Sequence, residues 1–222
     1  MAEGAGKKPA RDRVQRLLAR LAEAYPEARC ALEHRNAYEL LLATMLSAQC
    51  TDACVNRVTP ALFARAPGPR ELAGLPLAEL EGLIAQCGLF RTKARNILAT
   101  AQALVERHGG EVPQSLEELT ALPGVGRKTA GVVLANAFHG PYLPVDTHVF
   151  RVAHRLGLTD GKTPDQVERD LEDLVPPAAR LAAHHQLIAH GRQVCAARRP
   201  RCGACPLAAD CPSRSIFSGP EA

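Results

Sequence analysis

"LPGVGRKTAGVVL", residues 122–134, sets a Pro/Gly turn directly against an apolar helical run. Gly124 and Gly126 flank Val125 in a turn entered through Pro123. Glycine admits positive φ and lets a backbone approach a ligand closely. A turn that opens onto a helix leaves the first helical amides without carbonyl partners, and the helix dipole adds positive potential there. Together these make an anion site that can hold a phosphate without reading sequence. Arg127 and Lys128 open the helix. An ammonium is poorly placed at that end, and any burial at a cleft would disfavour it further. A lysine held as the free amine is a nucleophile for a carbonyl-like carbon. Taken one at a time, the same residues also fit an ordinary helix connection and a solvated lysine.

The rest of the chain bounds what such a site could serve. At 222 residues it has room for one large domain or two small ones, and 46% hydrophobic residues supply a core. A net charge of +4 permits a polyanionic partner. Aromatic residues make up 4% and Trp is absent, which argues against a single-strand binder that stacks bases on an aromatic row. The opening "MAEGAGKKPARDRVQR" is charged and has no apolar centre, and no apolar run reaches membrane-span length. The expectation is a soluble, cytoplasmic, monomeric protein, nucleoid-associated if bacterial.

Helical periodicity dominates. Val14, Leu17, Leu18 and Leu21 form one stripe, and "NAYELLLATMLSAQ" reads as a helix buried all round. Thr51 or Asp52 can cap the next helix, and "APGPRELAGLP" reads as a connector. Leu77, Leu80, Leu83 and Ile84 make a further face. Thr92 is the expected cap of a helix that Gly109-Gly110 stops. Ser115, Asp146 and Thr163 mark later starts. No segment alternates as a strand does, so the class is all-α.

Asp146, in "PVDTHVFRV", directly precedes a helical run and reads first as an N-cap. A capping carboxylate is fixed and ionised. Beside an anomeric carbon it would stabilise oxocarbenium character as a base departs. Cys195, Cys202, Cys205 and Cys211 form C-x6-C-x2-C-x5-C, enough thiolates for zinc or for a 4Fe–4S cluster, and the spacing does not choose between them. Arg198, Arg199 and Arg201 crowd the loop "CAARRPRC", a basic patch suited to backbone phosphate. Cys30, Cys50, Cys54 and Cys87 are scattered and read as buried thiols. His184, His185 and His190 read as structural or phosphate-contacting.

"LPGVGRKTA", "VDTHVFRV", "LSAQCTD", "HGRQVC" and the four-cysteine tail together resemble the endonuclease III family, bifunctional DNA glycosylases and abasic-site lyases of the helix-hairpin-helix superfamily. The resemblance runs from about Val14 to Cys211. It implies a two-domain all-α fold: a six-helix barrel over 30–140 carrying the helix-hairpin-helix at about 115–138, and a discontinuous domain from 1–29 and 141–222 with a 4Fe–4S loop over 195–211. It implies double-stranded DNA bearing a damaged pyrimidine or an abasic site as partner. It further implies that Lys128 attacks C1′, that Asp146 is the catalytic aspartate, that Gln49 fills the hole left by a flipped base, and that Leu89 wedges the opposite strand. Gly124, Val125, Gly126 and Arg127 would then lie against the DNA. Two positions depart from many relatives: Gly131, where Asn is common, and Thr120, where Glu is common. Gly131 leans toward the adenine-specific mismatch glycosylases, a sister family, but that family lacks the lysine found here at 128.

Overall fold

The structure, a computed structural model, describes residues 9–217. The charged leader over 1–8 lies outside them. The described elements are helical throughout: α1 (Arg11–Ala24), α2 (Ala37–Leu46), α3 (Asp52–Arg65), α4 (Pro69–Ala73), α5 (Leu77–Leu83), α6 (Phe90–His108), α7 (Leu116–Thr120), α8 (Arg127–Ala137), α9 (Thr147–Arg155), α10 (Pro164–Leu174), α11 (Arg180–Gln193) and α12 (Arg214–Phe217). The chain divides into two compact units, one of Met1–Arg29 with Pro141–Ala222, the other Cys30–Gly140.

The continuous unit is organised on α2. Asn36 caps it by accepting the Glu39 amide at 2.9 Å. Leu40, Leu41, Leu42 and Leu46 are all fully buried, on every face of the helix, as expected where a helix is apolar all round. Each such leucine contributes about 1.5–3 kcal/mol relative to exposure. The long α6 packs against α2, α4 and α5 through Ala94, Ile97, Ala101 and Leu104. It stops at Gly109, whose φ of 66° closes the helix in the left-handed conformation. Helix α8 runs along α2, and α7 packs on α8.

Two local expectations fail in this unit. The "APGPRELAGLP" connector contains α4, because Pro69 sits in the first turn, where a missing N–H costs nothing, and Leu72 gives the turn a buried anchor. Thr92 caps nothing: α6 already starts at Phe90, behind Leu89 in the left-handed conformation, and the Thr92 amide bonds Leu89 O at 3.1 Å.

In the discontinuous unit, α1 packs on α11, α11 on α9 and α9 on α10. Val14, Leu17 and Leu21 of α1 share a core with Val149, Val152, Val167, Leu171 and Leu187. Thr163 and Gln166 form a reciprocal capping box at the start of α10. His184 and His190 are buried, and their Nδ1 atoms face Pro144 O at 2.8 Å and the Tyr25 hydroxyl at 2.9 Å, so both are structural.

Burial pushes His185 down to about 4, against 6.5 for a free imidazole. The unfolded chain takes up a proton as pH falls through 6.5, whereas the folded chain resists until about 4, so stability is lost across that window. Thermal unfolding midpoints should fall as pH drops from 6.5 toward 4, and less steeply in His185→Gln. An identical slope in the variant would contradict this assignment.

Candidate active site and metal centre

The hairpin between α7 and α8 is held from one side by α6. Thr100 Oγ1 donates to Pro123 O at 2.6 Å. Gly124 has φ of 73°, and a Cβ there would lie 2.7–2.9 Å from the side chain of Asn96. Glycine is therefore required twice, for backbone conformation and for close approach to α6. Val125 turns its side chain into the core, and its amide bonds Leu122 O at 3.1 Å, so it braces the turn.

Gly126 is different. It is extended (φ −88°, ψ 170°), caps α8 without a side chain, and a Cβ there would meet no atom within 4 Å. Nothing in the surrounding protein demands glycine at 126. The space it leaves open lies in front of the first amides of α8, which have no carbonyl one turn back. No acidic residue stands in that first turn to occupy their field. Arg127 is half-buried, and Lys128, one residue further, is exposed at this uncapped end. Gly131 is buried in α8. Thr120 ends α7 and donates back to Leu116 O and Glu117 O.

Asp146 is the N-cap of α9, as its position suggested. The amides of His148 and Val149 both donate to Oδ1, each at 2.8 Å. The carboxylate is thereby fixed by one oxygen, and the cap leaves Oδ2 unused.

Gln49 and Leu89 share an unusual backbone. Both are non-glycine residues with positive φ, 52° and 58°. Leu89 is 62% exposed, whereas a leucine in that helical context would ordinarily be core. Left-handed conformation costs a non-glycine residue about 1–2 kcal/mol.

The four tail cysteines line one hollow with Arg155, His190 and Phe217. Arg155 organises it: Nη1 donates to Ala196 O at 2.7 Å and to Cys195 Sγ at 3.4 Å, and Nη2 donates to Ala197 O at 2.9 Å. Arg151 Nε donates to Cys195 O at 3.1 Å. From α1, Arg13 donates to Leu156 O, Gly157 O and Asp210 O, and Arg16 pairs with the Asp210 carboxylate at 2.8 Å. His190 bonds the Tyr25 hydroxyl through Nδ1 at 2.9 Å, and its Nε2 faces Cys205 Sγ at 3.8 Å. These four cysteines are the candidate metal ligands of the tail. Among the described residues, no three of their sulfurs converge within 4.8 Å. Thiolates around one zinc, at about 2.3 Å from the ion, would stand about 3.8 Å apart. Arg198, Arg199 and Arg201 lie exposed in the loop, Arg199 at φ 52°, while Arg201 also donates to Gln193 O.

One grouping was invisible in the sequence. Cys50, Cys54 and Cys87 are not scattered buried thiols: their sulfurs lie within 4.8 Å of one another, and only Cys87 is buried. Burial pushes Cys87 up to about 12. Burial also acts to raise Cys50, but hydrogen bonds from Cys54, Cys87 and the Gly88 amide, with the Lys93 charge, outweigh it and hold Cys50 below its ordinary value.

Residues 42–177 match the model of the HhH-GPD superfamily base excision DNA repair proteins. Endonuclease III of Synechocystis sp. is 50% identical over 204 residues, covering 91% of this chain and 93% of that protein. Endonuclease III of Bacillus subtilis is 46% identical over 199 residues, covering 89% and 91%. The chain belongs to the endonuclease III family. A solved endonuclease III, described as a trapped covalent DNA intermediate in an estranged-adenine complex, superposes with a TM-score of 0.89 at 43% identity, over 94% of this chain and 98% of that one. The superfamily match includes Gln49, Leu89, the hairpin, Lys128 and Asp146, and ends before the cysteine tail. Among the described residues, no helix of this endonuclease III relative is long and apolar enough to cross a membrane.

The two hairpin glycines should separate by experiment. Gly124→Ala should cost about 1–3 kcal/mol in denaturant unfolding, through left-handed strain and the Asn96 contact. Gly126→Ala should cost about 1 kcal/mol or less, from poorer capping. It should nevertheless weaken affinity for a short DNA duplex, because its methyl group enters the space before the α8 amides. Equal stability losses with unchanged affinity would contradict the distinction.

Proposed function

We propose that this chain excises oxidised or ring-fragmented pyrimidines from duplex DNA and then cuts the strand at the resulting abasic site. It is a DNA glycosylase and abasic-site lyase of base excision repair. The observation that carries the residue assignment is an exposed lysine one position inside a helix whose N-terminus no side chain caps.

The α8 amides and the Gly124–Gly126 turn grip a backbone phosphate. This fixes the neighbouring sugar against Lys128. The unprotonated Nζ attacks C1′, and the C1′–N bond breaks with its electron pair leaving on the base. As that bond lengthens, C1′ acquires oxocarbenium character, which the anchored Asp146 carboxylate stabilises. Ring opening gives a Schiff base between Nζ and C1′. Loss of a 2′ proton then expels the 3′ phosphate by β-elimination, and hydrolysis of the imine frees the lysine. Gln49 fills the vacated stack and Leu89 wedges the facing strand, offsetting part of the few kcal/mol that extrusion costs.

Cys195, Cys202, Cys205 and Cys211 hold a 4Fe–4S cluster, a reading supported by four thiols spread around one hollow. When bound, the cluster supplies a rigid covalent frame for its loop. Arg198, Arg199 and Arg201 then meet DNA phosphate. We infer that the protein acts in the cytoplasm, at the nucleoid in a bacterium.

Single-turnover assays on a duplex with one damaged pyrimidine test the assignment. Lys128→Ala should abolish strand cleavage. Asp146→Asn keeps the cap and should unfold like wild type, yet slow excision about 10²–10³-fold with DNA binding intact. Leu89→Gly should stabilise the fold by about 1 kcal/mol, by relieving the left-handed strain, while lowering excision. Full activity in Lys128→Ala would overturn the mechanism.

A further inference from the structure

Three thiols from two separate turns converge in the continuous unit. Cys50 lies in the turn between α2 and α3, Cys54 in the first turn of α3, and Cys87 in the turn between α5 and α6. Their sulfurs lie within 4.8 Å of one another, a small adjustment from the roughly 3.8 Å that thiolates adopt around one zinc ion. Cys87 closes the group from the core, while Cys50 and Cys54 are half-exposed, which gives an ion a path in from solvent. Cys54 Sγ now donates to Gln86 O at 3.3 Å, a weak bond that a metal would replace.

The surroundings suit a negatively charged thiolate site. Three thiolates on a divalent ion leave one net negative charge. Lys93 is buried, donates to Leu46 O at 2.8 Å, and its charge acts on both Cys50 and Cys87. Arg57, bonded to Gln86 Oε1 at 3.3 Å, acts on Cys54. A buried ammonium beside three thiols has an evident counter-charge once they ionise; charges inside a protein are retained when paired.

The location gives the site a consequence. Gln49 directly precedes Cys50, and Leu89 follows Cys87 by two residues. Their turns already touch: a Cβ on Gly88 would lie 3.4 Å from Gln49 O. Both turns carry left-handed non-glycine residues. We propose that Cys50, Cys54 and Cys87 bind one thiophilic metal ion, of the zinc class, which cross-links the turn of Gln49 to the turn of Leu89. The ion takes three thiolates and keeps its fourth position for water, and binding releases the thiol protons to solvent. It stiffens the two turns against each other. The effect on base extrusion rests on the DNA roles proposed for Gln49 and Leu89, but the metal site does not, and its test involves no DNA.

The test titrates Co²⁺, then Zn²⁺, into the full-length protein under anaerobic conditions with the tail centre left as purified. Wild type should take up one equivalent of cobalt with the thiolate-ligated tetrahedral spectrum in the red, and zinc should displace it. Cys54→Ser, a half-exposed position, should weaken that equivalent by at least about 100-fold. The Cys50→Ser/Cys54→Ser/Cys87→Ser triple variant should lose it, and Cys30→Ser should keep it. Zinc should slow amide exchange at 47–50 and 86–90 in wild type and not in Cys54→Ser. The proposal is overturned if wild type shows no such cobalt spectrum. It is equally overturned if Cys54→Ser and the triple variant bind cobalt as wild type does, or if the three thiols are recovered as a disulfide that takes up no metal.

Discussion

The amides that open α8 have no carbonyl one turn behind them, and the N-cap, Gly126, offers no side chain to them. That unmet hydrogen-bonding capacity organises the hairpin. Gly124 lets the turn fold tightly onto Asn96, Val125 and Thr100 brace it, and Gly126 leaves the approach open. A phosphate is the natural partner for such an end, since it supplies both acceptor oxygens and negative charge. Lys128 stands exposed one position inside that end, and the proposed chemistry uses it as the attacking amine. Asp146 follows the same logic in the other unit. One carboxylate oxygen satisfies the helix start, and the cap makes no use of the second.

Arginine does for the tail what glycine does for the hairpin. The loop from Cys195 onward has little regular structure, so its carbonyls need donors. Arg151, Arg155 and Arg13 supply them, each reaching from a helix to backbone oxygens beside the cysteines. The thiols are thereby held around a shared hollow mainly by bonds to the backbone of their own loop, with Arg155 also donating to Cys195 Sγ. Arg198 and Arg199 are exposed on the same loop, as is Arg201, which also bonds Gln193 O.

What could be read from the sequence was what local chemistry decides. Thr51, Ser115, Asp146 and Thr163 all cap the helices expected of them, because a short oxygen-bearing side chain three residues from an amide acts without tertiary help. The all-apolar α2 was equally plain. Pro69 misled because proline ends helices and also begins them. Leu89 and Gln49 gave no sign of left-handed backbone, since glycine or asparagine usually marks it. Their exposure is imposed by tertiary packing and is paid in strain. The Cys50–Cys54–Cys87 group could not be seen because Cys87 lies far along the chain from its partners. Of the two uses of glycine that the sequence suggests, Gly126 fits only the second: its φ is ordinary and the space beside it is empty.

The account stands on one amine. The described residues include three lysines: Lys93, buried and bonded to Leu46 O; Lys162, in the turn before α10; and Lys128. Borohydride reduction of the wild-type protein reacting with abasic duplex, followed by proteolysis and mass spectrometry, shows which lysine carries the sugar remnant. The account predicts the remnant on Lys128 alone. A remnant on Lys93, on Lys162 or at the amino terminus, with Lys128 unmodified, would contradict it.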